Sequence, residues 1–417
     1  MKELKGALIF GQSGGPSSVI NSSAAGVFVE ALKQENITAV YGAAHGIRGV
    51  LNEEFYDISQ EDMKELMLLK YTPSSALGSV RYKLKDAKVD STDYDRLLEV
   101  FKKYNIRYFF YNGGNDSMDT CNKISKFMKK SGWECRVMGV PKTIDNDLYG
   151  TDHCPGYASA AKYVATSIME LKLDATVYDT PMITVVEIMG RHAGWLTAAS
   201  ALAAEKGLGP DLIYLPEVPF TVDKFLADVE QKYNENGGKV MIAVSEGIAD
   251  ENGTLIAEKM SENVSKDSFG HVQLGGVGQM LANLCKEKFG AKTRGIEFSL
   301  MQRCGAHLAS KVDVEEAFRS GAAAVKYAVR GTTDKMVVLK RDYDKNGKYK
   351  CKIGVVGLKM AANTEKKIPQ EWIINNGTMV GKEFVDYALP LIQGESKAPL
   401  EDGLPRFAHL KKVLVNK

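Results

Sequence analysis

No stretch of this chain is apolar for long enough to cross a bilayer as a helix, and its opening, MKELKGALIF, offers only the short apolar run Ala7 to Phe10, so neither a membrane span nor a secretory signal is expected. CxxC spacing is also missing. The cysteines, Cys121, Cys135, Cys154, Cys285, Cys304 and Cys351, are scattered, which disfavours a zinc or redox site and fits unpaired thiols in a reducing compartment. A cytoplasmic protein is expected, and the Asn-x-Ser/Thr matches at Asn36 and Asn252 are then chance. Charge of one sign is lacking too. With 54 basic and 52 acidic residues the net charge is +2, which supplies no global field for nucleic acid or a membrane surface. A polyanionic ligand has to be held by local Arg and Lys clusters. What is present is 417 residues with 44% hydrophobic content, enough for two domains, each with its own core.

The most informative stretch runs from Tyr111 to Leu148. Ile106 to Tyr111 has strand character and feeds Asn112-Gly113-Gly114-Asn115-Asp116-Ser117, followed by a helical pattern through Lys130. A second strand-like run, Val137 to Val140, leads into Pro141-Lys142-Thr143-Ile144-Asp145-Asn146-Asp147-Leu148. Open parallel sheets hold ligands outside the carboxyl ends of their strands, where such loops lie. The glycine pair lets backbone N–H groups approach an anion, and the following helix N-terminus adds a favourable partial charge. The pattern reads as a phosphate site. Asp116, Asp145 and Asp147 supply oxygen ligands for a hard cation, or a general base.

Along the rest of the chain, Ala7 to Phe10 reads as a strand, Gly11-Gln12-Ser13-Gly14-Gly15 as a loop and Ser17 to Lys33 as a helix, the first unit of a doubly wound sheet. The same loop matches G-x-S-x-G, the nucleophile elbow of serine hydrolases, and so raises the rival reading of a hydrolase built on Ser13. Against it, the elbow ordinarily follows several strands, and no signature for a matching acid and histidine appears. Val40 to Ala43 predicts a strand, His45 to Gly49 a turn, and Asp62 to Lys70 a helix ended before Pro73. His153 to Leu171 is helical, Met182 to Ile188 a buried strand, and Asp211 to Leu215 and Lys239 to Val244 further strands of a second α/β domain. Gly275 to Lys288 is glycine-led and then helical, Gly295 to Leu300 a strand, and Val312 to Val329 an amphipathic helix. Lys335 to Leu358 reads as a hairpin turning at Asp344-Lys345-Asn346-Gly347. The tail from Glu365 carries no recognisable chemistry and is expected to cover a domain surface or a subunit interface.

GGNDS (113–117) and PKTIDND (141–147) together resemble the two central motifs of the phosphofructokinase family, more narrowly its pyrophosphate-dependent branch. The likeness continues through Gly14-Gly15, Gly78-Ser79-Val80-Arg81, Met189-Gly190-Arg191, Pro216-Glu217-Val218, Ser245-Glu246-Gly247 and Gln302-Arg303. It implies an α/β fold of two doubly wound, Rossmann-like domains with a C-terminal extension. Residues 1–155 with roughly 304–334 would bind the phosphoryl donor, 156–303 the sugar phosphate, and 335–417 would form the hairpin and extension. It also implies phosphoryl transfer to the C1 hydroxyl of fructose 6-phosphate, assisted by Mg2+, in a homodimer or homotetramer. By that resemblance Asp145 is the base, with Asp116, Lys142 and Arg81 completing the catalytic set. Gly14, Gly15, Gly113, Gly114 and Lys142 receive the donor. Thr143, Asp145, Asp147, Met189, Gly190, Arg191, Glu246, Arg294, Gln302 and Arg303 receive the sugar, and Asn115 and Asp116 the metal.

Several positions depart from the family pattern. Asn115 stands where a carboxylate is usual, Met182 where bacterial relatives have an arginine that reaches a neighbouring subunit's sugar site, and Leu300 where histidine or tyrosine is common. Ala25 and Val29 replace the arginines that bind nucleotide effectors in ATP-dependent relatives, which predicts weak or no allostery. ATP-dependent relatives carry glycine at the positions of Asp116 and Lys142. Here an added carboxylate would meet the α-phosphate with bulk and like charge, while an ammonium can pair with a departing phosphate. The expected donor is therefore pyrophosphate, with ATP the alternative.

Overall fold

Runs of β-branched and aromatic residues build most strands of two sheets, one mixed and one parallel, whose strand ends meet at one cleft. The computed structural model describes residues 4–260, 276–362 and 364–415. The first unit supplies β1 (Gly6–Gln12), β2 (Ile37–Ala43), β3 (Phe55–Asp57), β4 (Ile106–Gly113) and β5 (Arg136–Pro141). The second supplies β6 (Met182–Ile188), β7 (Leu212–Tyr214), β8 (Lys239–Ser245) and β9 (Lys292–Glu297), all parallel in the order β7-β8-β6-β9. A hairpin, β10 (Lys335–Tyr343) and β11 (Tyr349–Gly357), then returns to the first sheet, whose order is β11-β10-β5-β4-β1-β2-β3. The α/β class expected from the sequence is the one found.

The first sheet forms because its central strands are apolar on both faces. Phe10, Phe109, Phe110 and Tyr111 are wholly buried beneath helices on either side, each side chain contributing about 1.5–3 kcal/mol. Strand order reverses at β1, which has β2 on one side and β4 on the other. Open sheets bind ligands at such a switch point. Register sharpens this. Gln12 lies beside Asn112, and Gly113 beside Pro141, so the loops leaving β1, β4 and β5 start at one level. In the second sheet Ile188 lies beside Ser245 and Glu187 beside Glu297, which levels the loops after β6, β8 and β9 in the same way.

Some boundaries differ from the expectation. His45 to Gly49 is more than a turn: His45 takes a left-handed φ of 54° and a short helix, Ile47–Asn52, follows. The strand expected at Gly295 to Leu300 is β9 at Lys292–Glu297, because an edge strand can pair along β6 with polar residues facing solvent. The helix expected from Gly275 runs Val277–Phe289, and Gly275 itself lies outside the described residues. The hairpin turns as predicted, with Tyr343 opposite Tyr349, but Lys335 and Met336 pair in parallel with Met138 and Gly139 and so place it in the first sheet. Ala25 and Val29 are buried on helix Ile20–Ala31, so neither is a surface residue. Among the described residues no helix is long and apolar enough to cross a membrane.

Candidate active site

The loops leaving β1, β4, β5, β6 and β8 enclose a cleft of about 390 Å³. From the first sheet it receives Ser13, Gly14, Gly15, Arg81, Gly114, Asn115, Asp116, Lys142, Thr143, Asp145 and Asp147, and from the second Met189, Arg191 and Glu246; Arg303 and Glu365 complete it. The 78–81 segment is stapled to the glycine loop, Ser79 Oγ donating to the Gly14 carbonyl at 2.7 Å, which brings Arg81 to the cleft. Gly15 leaves room for a guanidinium, since a Cβ there would lie 3.0 Å from Arg303 Nη1. Helix Asn115–Lys130 starts at the cleft without a side-chain cap, so its first turn presents a positive end to a ligand.

Lys142 is nearly fully buried at the end of β5, where its Nζ donates to the Gly15 carbonyl at 2.6 Å. Burial lowers its pKa to about 8 against the attraction of Asp145. Burial also raises the pKa of Asp145; Thr143 steadies this carboxylate, its Oγ1 lying 3.3 Å from Asp145 Oδ2 and accepting the Asp145 N–H at 3.1 Å. Asp147, desolvated and close to Asp145 and Glu365, is pushed up to about 7. Between the two aspartates Asn146 takes a left-handed φ of 56° and is held on both sides, accepting from the Cys154 N–H at 2.9 Å and donating to Tyr387 Oη at 2.8 Å. The loop therefore keeps its shape without a ligand.

On the opposite wall, Gly190 has φ 143°, and a Cβ would stand 2.7 Å from the Ala193 carbonyl, so glycine is required there. Its N–H donates to Glu246 Oε1 at 3.2 Å, and burial lifts Glu246 to about 7. Gln302 is buried and acts through the backbone, its Oε1 accepting the Met189 N–H at 3.1 Å. Burial lowers the pKa of Arg303.

Gly113, Gly190, Arg294 and Gln302 do not line the cleft, although Gly113, Gly190 and Gln302 adjoin residues that do. Arg294 is exposed on the edge strand β9. Met182 is buried at the start of β6 and extends nothing outward, while Leu300 is half-exposed. Ser13 lines the cleft, but its Oγ donates to the Val80 carbonyl at 3.5 Å, and no histidine among the described residues is hydrogen-bonded to it as the activating base of a serine hydrolase would be. Sequence reasoning missed His192 and Glu365. Both line the cleft, with His192 Nδ1 3.0 Å from Glu365 Oε1.

Among the described residues no group of three or more acidic, histidine or cysteine side chains is arranged to hold a metal alone. One oxygen nevertheless fits a cation. Asn115 Nδ2 donates to Asp147 Oδ2 at 2.9 Å, which leaves Asn115 Oδ1 buried without a hydrogen-bond partner beside Asp116. A magnesium-type ion is held by few protein oxygens when phosphates supply the others.

The family described as phosphofructokinase matches residues 7–327. The chain is 43% identical over 413 residues to the pyrophosphate–fructose 6-phosphate 1-phosphotransferase of Halomonas elongata, covering 98% of this chain and 97% of that one. It is 45% identical to the protein of the same name from Xanthomonas campestris, covering 99% and 98%. The crystal structure of a pyrophosphate-dependent phosphofructokinase from Nitrosospira multiformis superposes with a TM-score of 0.88 at 40% identity, covering 99% of this chain and 98% of that one.

Proposed function

Because the chain belongs to the phosphofructokinase family, we propose that it transfers a phosphoryl group reversibly from pyrophosphate to the C1 hydroxyl of fructose 6-phosphate, giving fructose 1,6-bisphosphate and phosphate. It is a phosphotransferase of glycolysis. The observation that carries the donor assignment is that Asp116 and Lys142 both line the cleft. A carboxylate there would oppose the third phosphate of a nucleotide by bulk and like charge, and pyrophosphate has no third phosphate. Ordinary ATP use is the second reading, and a coupled assay with each donor separates the two.

In this reading the first sheet's loops bind the donor and the second sheet's loops bind the sugar; the hairpin extends the donor unit, while Ile368, Val380, Phe384, Ala388 and Leu391 of the tail pack into the core of the second unit. Asp145 accepts the proton of the C1 hydroxyl as that oxygen attacks phosphorus. Arg81 and Lys142 face the charge that spreads over the transferred group and collects on the departing phosphate. Lys142 is already desolvated and anchored on Gly15, so little reorganisation accompanies the step. Gly14, Gly15, Gly113 and Gly114 form the backbone surface for pyrophosphate. Thr143 and Asp147 hold the acceptor side of the loop, Arg191 and Arg303 the sugar phosphate, and Glu246 the sugar hydroxyls, while Gln302 fixes Met189. Family enzymes generally use a divalent metal. We assign Mg2+, held by Asn115 Oδ1 and Asp116 with phosphate oxygens, where it would neutralise phosphate charge. The protein works in the cytoplasm as a non-allosteric homodimer or homotetramer, without nucleic-acid or membrane partners.

The ammonium form of Lys142 is the active one and is lost as pH rises through its pKa. The rate with pyrophosphate should therefore fall above about pH 8. Lys142→Arg keeps its charge at that pH, so a pH–rate profile of this variant should lack the alkaline fall; a fall at the same pH would assign it to another group.

Arg294 is exposed outside the cleft of its own chain, and its assignment to the sugar phosphate requires a neighbouring copy to bring it there. Arg294→Ala should raise KM for fructose 6-phosphate by about tenfold or more, the loss of one charge-assisted hydrogen bond, with KM for pyrophosphate unchanged. Steady-state kinetics checks this, and an unaltered sugar KM would remove Arg294 from the site.

A further inference from the structure

We propose that Glu365 and His192 form an acceptor-positioning pair that binds the hydroxyls of the ketose phosphate and holds its C1 oxygen towards Asp145, a role that rests on the phosphotransferase reading above. Glu365 comes from the C-terminal region, and its backbone already ties the two walls of the cleft together. It forms an antiparallel bridge with Leu148, and the next residue's N–H donates to the Asp147 carbonyl at 2.7 Å. The Lys366 carbonyl in turn accepts from Trp195 Nε1 at 2.8 Å, on the segment that follows Arg191 and His192. Main-chain and Lys366 groups do this stapling. The carboxylate of Glu365 is not needed for it.

That carboxylate is nevertheless placed in the cleft, where it adds negative charge near Asp147. Its placement disfavours a role in binding phosphate and suits one in accepting hydrogen bonds from hydroxyls. His192 brings the complementary donor. Its Nδ1 meets Glu365 Oε1 at 3.0 Å, and Nε2 bonds to nothing among the described residues. Both side chains are partly exposed, so a ligand can reach them. The pair also lies with the sugar-side residues, because His192 follows Arg191 on the loop after β6, whereas Gly14, Gly15, Asp116 and Lys142 come from the first sheet. The charged groups facing His192 are Glu365, which raises its pKa, Arg191 and Lys367, which oppose this, and Asp145 across the cleft. Protonated His192 is the form that donates from both nitrogens.

The test compares wild type, Glu365→Gln, His192→Gln and the double variant in steady-state kinetics with fructose 6-phosphate and pyrophosphate, from roughly pH 6 to pH 9. Glu365→Gln keeps the backbone staple and the side-chain volume. Each single variant should raise the sugar KM by about tenfold with the pyrophosphate KM within about twofold of wild type, and the double variant should be little worse than either single one. In Glu365→Gln the rise of the sugar KM with pH should also begin at lower pH, because His192 loses the anion that keeps it charged, whereas the fall set by Lys142 stays in place. Equal rises in both KM values, an unmoved pH dependence of the sugar KM or an unchanged sugar KM would each overturn the proposal. Failure of wild type itself to phosphorylate fructose 6-phosphate would instead overturn the phosphotransferase reading, so the two failures are separate.

Discussion

Asp145→Asn should lower kcat by about three to four powers of ten while fructose 6-phosphate still binds, since a positioned general base contributes on the order of 10²–10⁴ and the amide cannot accept the proton. The structure explains why this residue carries so large a share. Asp145 is held by Thr143 on a loop that Asn146 fixes through Cys154 and Tyr387, so its oxygens need no search for their position. Burial raises its pKa, which makes it a better proton acceptor than an exposed aspartate, and Lys142 opposes the shift. Asparagine preserves the volume and most of the hydrogen bonding. The expected signature is therefore a collapse of kcat with a sugar dissociation constant, measured by calorimetry, within about an order of magnitude of wild type. Retention of more than a few per cent of activity would remove Asp145 from the role.

Lys142→Gly should cost the pyrophosphate reaction about two to three powers of ten, the size found when one preorganised donor to developing charge is lost. The buried ammonium is 2.6 Å from the Gly15 carbonyl, and removing it leaves that carbonyl unpaired as well as the departing phosphate unneutralised. Asp116→Gly acts differently. It removes a carboxylate and its bulk from the cleft, and with them an assigned Mg2+ ligand, so it should both slow the pyrophosphate reaction and weaken discrimination against ATP. The double variant should show the largest rise in the ratio of ATP-dependent to pyrophosphate-dependent rate. Measuring kcat/KM for both donors in all three variants checks this; an unchanged pyrophosphate rate in Lys142→Gly would sink the assignment of that residue.

Most of the cleft was legible in the chain because parallel strands end in loops, and these loops are marked by glycine, aspartate or arginine directly after an apolar run. Met182 to Ile188 and the turn at Asp344 to Gly347 were found for that reason, one as a continuous β-branched buried strand and the other as an Asn-Gly hairpin signal. β9 was misplaced because an edge strand need not be apolar: Lys292, Thr293 and Arg294 pair with β6 while showing no hydrophobic pattern. The hairpin's membership of the first sheet was hidden because it rests on pairing with β5, almost two hundred residues earlier in the chain. Glu365 and His192 escaped notice because neither belongs to a local motif; only folding brings the tail across the loop at Asp147 and beside Arg191. One signal was available, a histidine directly following Met189-Gly190-Arg191.

The central claim is tested most directly by one coupled assay that follows fructose 1,6-bisphosphate formation from fructose 6-phosphate with Mg2+ and either pyrophosphate or ATP. Discrimination of about 3 kcal/mol between donors corresponds to a rate ratio of roughly a hundredfold or more in favour of pyrophosphate, and bisphosphate with phosphate should regenerate pyrophosphate in the reverse direction. A wild-type enzyme that prefers ATP, or that forms no bisphosphate from pyrophosphate, would contradict the account.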